Sequence, residues 1–161
     1  MSQPSTEVAI FAAGCFWGVE EAFRTLPGVL TTSVGYTGGT MPDPTYHDVC
    51  EGDTGHAEAV RIEFDPAVIS FEKLASQFFA LHDPTTLNRQ GPDVGEQYRS
   101  AVFYTNDAQR ATAERLIKTL TDAGVFPRPI VTQVVPEAPY FPAEEYHQKY
   151  LLKRGLSNCH I

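Results

Sequence analysis

The sequence predicts an α+β protein, a two-layer sandwich of helices packed against a central mixed β-sheet, with long coil segments between the elements. Apolar runs of strand length alternate along the chain with segments of helical periodicity, which favours this fold class. No glycine-rich nucleotide loop follows any of these runs. With 161 residues, 42% of them hydrophobic, the chain is large enough for one core. We therefore expect a single domain over residues 1–161, arranged as a ferredoxin-like plait.

Individual elements follow from local patterns. Short apolar runs predict strands over 8–12, 29–36, 57–64, 101–104 and 130–135. Helical spacing and capping residues predict helices over 19–24, from Ser70 to Asp83, from Asn106 to Gly124, and over 143–154. The segments 37–56 and 83–100 are polar and aperiodic, so we expect long loops there. We expect residues 155–161 to form a mobile tail.

Charge and hydropathy exclude several classes of partner. The chain has 12 Lys and Arg against 20 Asp and Glu, a formal net charge of −8, which disfavours nucleic acid and anionic membranes. The longest uncharged apolar stretch, 8–19, is shorter than the roughly 18 residues that span a bilayer. A signal peptide would require Lys or Arg before its apolar stretch, and here the first basic residue is Arg24. We expect a cytoplasmic monomer.

The three cysteines are Cys15, Cys50 and Cys159. An odd number without a close pair argues against a disulfide scaffold, and the spacing matches no zinc motif. We therefore expect no metal and at least one reactive thiol.

Cys15 is the first candidate for that thiol. It lies between a predicted strand and a predicted helix, flanked by Gly14 and Gly18. A helix N-terminus favours the thiolate, and Phe16 and Trp17 would add an apolar wall beside it. The alternative is that Cys15 is a small core residue.

Glu58 is the second candidate. In the predicted strand 57–64 it shares a face with Val60, Ile62 and Phe64. Burial raises the pKa of a carboxyl group, so Glu58 could donate a proton near neutral pH. The alternatives are an arginine partner or a wet strand edge.

Other candidates carry weaker signals. Tyr46 and Tyr98 bring phenolic donors to the two predicted loops, where a packed aromatic is the alternative. Asp93 would by default be a turn residue. Cys159 suits a thiol that must reach another sulfur atom, or it is incidental. We interpret the histidines at 56, 82, 147 and 160 as surface or helix-packing residues.

Four ordered blocks resemble one known family. They are GCFWG at 14–18, PTYHDVCEGDTGHAEAV at 44–60, DPTTLNRQGPDVGEQYRSAVFY at 83–104 and PAEEYHQKYL at 142–151. Together they are similar to the peptide methionine sulfoxide reductase A family over nearly the whole chain. This enzyme class reduces one epimer of methionine sulfoxide.

The resemblance implies roles for the reacting groups. Cys15 would be the nucleophile that attacks the sulfoxide sulfur, and Glu58 the acid that protonates its oxygen. Tyr46 and Tyr98 would bind and polarise that oxygen. The expected substrate is the S-sulfoxide of methionine, free or in proteins.

The resemblance also implies a pocket and a recycling route. Phe16 and Trp17 would hold the methyl group of the substrate, and Asp93 would contact its backbone side. Cys159 would condense with the sulfenic acid to a disulfide that thioredoxin reduces, without any cofactor. Cys50 could compete as the resolving thiol.

Two alternatives remain open, one from the residues and one from the resemblance. One is a cysteine hydrolase that uses Cys15 with His56 or His147 as its base. The other is a binder of oxidised methionine that has kept the pocket without catalysis.

Overall fold

The computed structural model describes residues 6–14, 16–51, 54–90, 93–144 and 147–148, with 50 and 51 as backbone only. Cys15, Cys159, the side chain of Cys50 and the predicted tail 155–161 therefore lie outside the described part. Most of the predicted helix 143–154 does so as well.

The described strands form one six-stranded mixed sheet and one small ribbon. The strands are β1 (Glu7–Ala13), β2 (Val29–Thr37), β3 (Ala57–Phe64), β4 (Arg89–Gln90), β5 (Asp93–Val94), β6 (Ser100–Tyr104), β7 (Gln133–Pro136) and β8 (Tyr140–Pro142). The large sheet has the order β7-β6-β1-β3-β2-β8. Its pairs are antiparallel except β6 with β7, and β4 pairs with β5 in the ribbon.

The described helices are α1 (Phe16–Arg24), α2 (Tyr46–Glu51), α3 (Phe71–Leu81) and α4 (Asp107–Asp122), with a 3₁₀ turn at Glu96–Tyr98. The predicted caps are confirmed: the Ser70 and Asn106 side chains accept hydrogen bonds from the backbone N–H groups three residues further on. Within the described ranges, every helix is too short or too polar to span a bilayer.

The helices supply core residues to one face of the sheet. Phe11 on β1 and Ile62 on β3 share a buried cluster with residues of α1, α3 and α4. Ile10 and Ala12 point to the opposite face, where a smaller cluster contains no residue of these helices. The mixed α/β prediction is therefore confirmed, with α1, α3 and α4 on a common face.

Four sequence predictions about local structure are wrong. The helix predicted over 19–24 begins three residues earlier, at Phe16. The predicted loop 37–56 contains α2, a helix of only six residues that begins after the reciprocal capping pair of Thr45 and Asp48. The predicted loop 83–100 contains β4, β5 and the 3₁₀ turn, which are too short to show periodicity. The predicted strand 130–135 begins only at Gln133, because β7 pairs only alongside β6.

Candidate active site

Glu58 lies on β3 at the N-terminus of α1. The strand is buried along the predicted face, and Glu58 itself is only 2% exposed. Its Oε1 accepts a hydrogen bond from the backbone N–H of Phe16, at 3.3 Å. Phe16 is the first residue of α1 and follows Cys15 in the sequence. The structure thus brings the predicted acid to the helix end that the predicted nucleophile precedes.

Gly14 allows a close approach just before α1. Its φ of +94° is one that residues with a side chain rarely adopt, and a Cβ there would lie 2.7 Å from Cγ of Gln90. Gln90 is in turn held by Asp83, through hydrogen bonds from Asp83 N to Oε1 (2.8 Å) and from Nε2 to Asp83 O (2.7 Å). Asp93 pairs with Gln90 across the ribbon, so the ribbon that carries this predicted substrate contact packs beside the start of α1.

Aromatic rings surround the same helix end. Phe16 lies with its ring centroid 5.8 Å from Tyr36, 6.4 Å from Tyr46 and 5.4 Å from His147. Tyr36 stands directly opposite Glu58 in the β2–β3 register. We call Phe16, Tyr36, Tyr46, Glu58 and His147 the site cluster.

Trp17 is joined to this cluster by a hydrogen bond. Its indole Nε1–H donates to Nδ1 of His147 at 2.9 Å, and the two rings are 5.6 Å apart. Since Nδ1 accepts this bond, the imidazole is in a form with Nδ1 unprotonated. Burial lowers the pKa of His147, and the nearby carboxylate of Glu144 raises it by less. A neutral imidazole therefore holds the indole.

Tyr46 is the first residue of α2, not a loop residue. Its backbone N–H donates to Oε2 of Glu144 at 3.0 Å, and the Tyr36 hydroxyl donates to Oε1 of the same carboxylate at 3.0 Å. Burial raises the pKa of Glu144. Hydrogen bonds from the backbone of Tyr46, from its own backbone and from the Tyr36 hydroxyl together lower the pKa by more, so the net shift is downward. Glu144 is accordingly a carboxylate at neutral pH.

Tyr98 ends the 3₁₀ turn and is half-buried. The next residue, Arg99, fixes the turn: its Nη1 donates to the Glu96 carbonyl at 3.0 Å, and its Nε donates to Gln133 Oε1 at 3.1 Å. The turn packs against β3, the strand of Glu58. Tyr98 thus comes from a different segment than Tyr46 but lies beside the same strand.

Glu144, His147 and Tyr36 are residues that the sequence analysis did not select. His147 and His56 are each 1% exposed, so neither is a surface residue. His147 packs against Phe16 and Trp17 of α1, which agrees with the helix-packing interpretation. A signal was available for two of them, because Glu144 and His147 belong to the block PAEEYHQKYL. For Tyr36, only the strand register shows that it faces Glu58.

His56 cannot serve as the base of a cysteine hydrolase in this arrangement. Its Nδ1 accepts from the backbone N–H of Gly39 at 3.0 Å, and its Nε2 lies 2.6 Å from the carbonyl oxygen of Met41. Both ring nitrogens are therefore engaged by the backbone. The other candidate base, His147, uses Nδ1 to hold Trp17. In the described part of the chain, no three His, Cys, Asp or Glu side chains converge as metal ligands.

Comparisons with known proteins agree on one family. The family model described as peptide methionine sulfoxide reductase matches residues 7–161. A peptide methionine sulfoxide reductase MsrA of Acidobacterium capsulatum is 60% identical over 153 residues, which cover 95% of this chain and 98% of the relative.

Solved structures agree with this. Mxr1 of Saccharomyces cerevisiae in its reduced form has a TM-score of 0.86 at 35% identity, covering 96% of this chain and 88% of that chain. The same yeast protein in complex with Trx2 has a TM-score of 0.64 at 22% identity, covering 92% and 87%, a likeness of fold. The chain therefore belongs to the peptide methionine sulfoxide reductase family, a family of oxidoreductases.

Proposed function

We propose that this chain reduces the S epimer of methionine sulfoxide, free or in proteins, with Cys15 as nucleophile and Glu58 as acid. The observation that carries this assignment is the hydrogen bond from Phe16 N–H to Glu58 Oε1, which brings the carboxyl group to the start of α1. A thiolate on the residue before Phe16 would benefit from the positive end of that helix.

Glu58 supplies the proton that the reaction needs. A sulfoxide oxygen is a poor leaving group until it is protonated, so the thiolate requires an acid nearby. The side chain of Glu58 is almost fully buried, and burial penalises the charged form of a carboxyl group. Burial thus favours the protonated form, which can donate as the thiolate attacks, whereas the hydrogen bond from Phe16 N–H favours the carboxylate that is left behind.

The remaining site residues bind the substrate. The hydroxyl groups of Tyr46 and Tyr98 donate to the sulfoxide oxygen, while Phe16 and Trp17 contact the methyl group. Asp93 contacts the backbone side of the substrate. The position of Tyr46 beside Phe16, and the packing of the ribbon against Gly14, support these assignments.

The proposed reaction cycle has three steps. The Cys15 thiolate bonds to the sulfoxide sulfur while Glu58 protonates the oxygen. The S–O bond of the substrate then breaks, the oxygen passes to the Cys15 sulfur as a sulfenic acid, and the bond between Cys15 and the substrate breaks to release methionine. The thiol of Cys159 then condenses with the sulfenic acid, forming a Cys15–Cys159 disulfide and water. Thioredoxin reduces that disulfide by thiol exchange and becomes oxidised itself. The complex that yeast Mxr1 forms with Trx2 supports this choice of reductant.

The proposal also covers the fold family, the oligomeric state, the compartment and the need for a cofactor. We propose a ferredoxin-like plait, supported by the strand order β6-β1-β3-β2 with α1 and α3 as its two connecting helices. We also propose a monomer that works in the cytoplasm without a metal or organic cofactor. The negative net charge and the odd number of cysteines support an intracellular protein.

The decisive experiment is a single turnover with a methionine sulfoxide peptide, followed by mass spectrometry of the intact protein. Cys15→Ser should abolish reduction, because a serine hydroxyl is barely ionised. Cys50→Ser is the matched control and should turn over once at the wild-type rate. Substantial reduction by Cys15→Ser would exclude the nucleophile. A wild-type protein that binds the peptide but reduces none would favour the non-catalytic binder.

A further inference from the structure

The block at 142–151 is the one motif that the proposed reaction leaves unused. Its described residues fasten this segment to β2. Ala143 N donates to Val34 O at 2.9 Å, and the Gln148 side chain bonds to both the N–H and the carbonyl of Val34 at 2.8 and 2.9 Å. The segment is therefore held at a fixed place along the strand that carries Tyr36.

Within that segment, Glu144 connects two elements of the site cluster. Its Oε2 accepts from the backbone N–H of Tyr46, and its Oε1 accepts from the hydroxyl of Tyr36, both at 3.0 Å. The first N–H groups of a helix have no acceptor within the helix. Thr45 and Asp48 cap α2 reciprocally, and Glu144 accepts from one further N–H, that of Tyr46, which ties this residue to the segment on β2. Hydrogen bonds to a charged acceptor are also stronger than neutral ones.

His147 extends the same segment over the ring of Tyr46. The two ring centroids are 4.3 Å apart, and the backbone N–H of His147 donates to the carbonyl of Glu144 at 2.9 Å. The backbone of Tyr46 thus contacts Glu144, and its ring contacts His147.

We propose that Glu144 is a positioning residue that fixes the hydroxyl group of Tyr46 for the sulfoxide oxygen. It acts through Tyr46 and does not itself touch the substrate. This inference rests on the proposed function, because it needs Tyr46 as an oxygen-binding group. A misplacement of about 1 Å in a catalytic constellation can cost roughly 10²-fold in rate.

The test is a double-mutant cycle between Glu144→Ala and Tyr46→Phe, using the single-turnover rate with a methionine sulfoxide peptide. Glu144→Ala should lower the rate by about 10- to 100-fold. Tyr46→Phe removes only the hydroxyl group. The double variant should be no slower than the slower single variant, because Glu144 has nothing left to position. A merely structural role would instead multiply the two losses.

Conservative variants separate position from charge. Glu144→Gln should keep most of the rate, since its amide oxygen still accepts from Tyr46 N–H and its amide nitrogen can donate to the Tyr36 hydroxyl oxygen. Glu144→Asp keeps the charge but shortens the side chain, so it should fall between wild type and alanine. If the alanine variant does not fold, the cycle is run with Glu144→Asp. Glu114→Ala, on the exposed face of α4, is the matched control.

Two results would overturn the inference while leaving the nucleophile untouched. One is a Glu144→Ala variant, or its aspartate substitute, as fast as wild type. The other is a double variant in which the two losses multiply. A Tyr46→Phe variant at the wild-type rate would remove Tyr46 as an oxygen-binding group and this inference with it. If Cys15 is not the nucleophile, a different measurement shows it, because the Cys15→Ser variant would then still reduce the peptide.

Discussion

The buried side of the sheet contains two regions that hold their side chains by different forces. In the first, Phe11 stacks with Phe23, Phe71 and Phe78 at centroid distances of 5.3, 5.7 and 5.0 Å, and we call these four residues the aromatic stack. In the second, the site cluster combines aromatic rings with Glu58, and Glu144 bonds to its edge. β3 carries residues of the buried core and also carries Glu58.

The difference shows how one fold separates stability from chemistry. The aromatic stack gains free energy from the apolar surface that it removes from water, with no directional requirement. The site cluster buries polar groups, which costs free energy unless each has a partner in the right place. We therefore expect changes in the stack to affect folding, and changes in the cluster to affect reaction rate.

The largest effect in this comparison is expected from Glu58→Gln, which should slow the chemical step. Glutamine has nearly the same shape and can still accept from Phe16 N–H, but it carries no acidic proton. The single-turnover rate should fall by roughly 10²–10⁴-fold, the range for general acid catalysis, with little change in melting temperature. Glu63→Gln is the control on the same strand, where the carboxylate pairs with Arg61 at the surface. An unchanged rate in Glu58→Gln would remove the acid from the mechanism.

The matching change in the aromatic stack is Phe78→Ala. Phe78 is fully buried, so its removal leaves a cavity and should cost about 3–5 kcal/mol of unfolding free energy. Urea titration measures this loss, and the rate per folded molecule should stay near wild type. The exposed Val68→Ala variant is the control. If Phe78→Ala instead lowers the rate without destabilising the protein, the separation between the two regions is wrong.

The smallest expected effect concerns His82, a polar group beside the aromatic stack. Its Nδ1 lies 2.6 Å from the Phe78 carbonyl, and its Nε2 lies 2.7 Å from Ser100 Oγ. Burial lowers the pKa of His82 from 6.5 to about 4, against smaller opposing effects of the Phe78 carbonyl and Asp83. As the pH falls, His82 is protonated in the unfolded chain before it is protonated in the folded protein. Its contribution to the free energy of unfolding is therefore fully present above pH 6.5 and is lost as the pH drops toward 4.

This loss amounts to about 3 kcal/mol at roughly 1.4 kcal/mol per pKa unit, and below pH 4 it no longer grows. Urea titrations between pH 7 and pH 4 measure it, compared with His82→Gln, which lacks the titrating group. His47→Gln, at an exposed position, is the control. Equal acid dependence in wild type and His82→Gln would show that His82 does not titrate as described.

Prediction from the sequence succeeded where a local pattern was sufficient. β3 and its buried face followed from alternation, and the starts of α3 and α4 followed from Ser70 and Asn106. It failed at α2, because a six-residue helix has too few turns to show periodicity, and the capping pair of Thr45 and Asp48 before it was overlooked. The sequence also left open whether His56 and His147 are surface or packing residues, because their burial depends on segments far away in the chain.

The sequence by itself determined which chemical groups this protein carries and where its longer strands and helices form, since both are properties of neighbouring residues. Only the tertiary structure decided that Tyr36 faces Glu58 and that Glu144 holds Tyr46. These contacts join residues separated by 22 and 98 positions, and no local pattern encodes a pairing over such distances. Strand register sets the first contact, because a slip of one residue would turn the side chains of β2 to the other face. The hydrogen bonds that hold Ala143 and Gln148 against Val34 set the second.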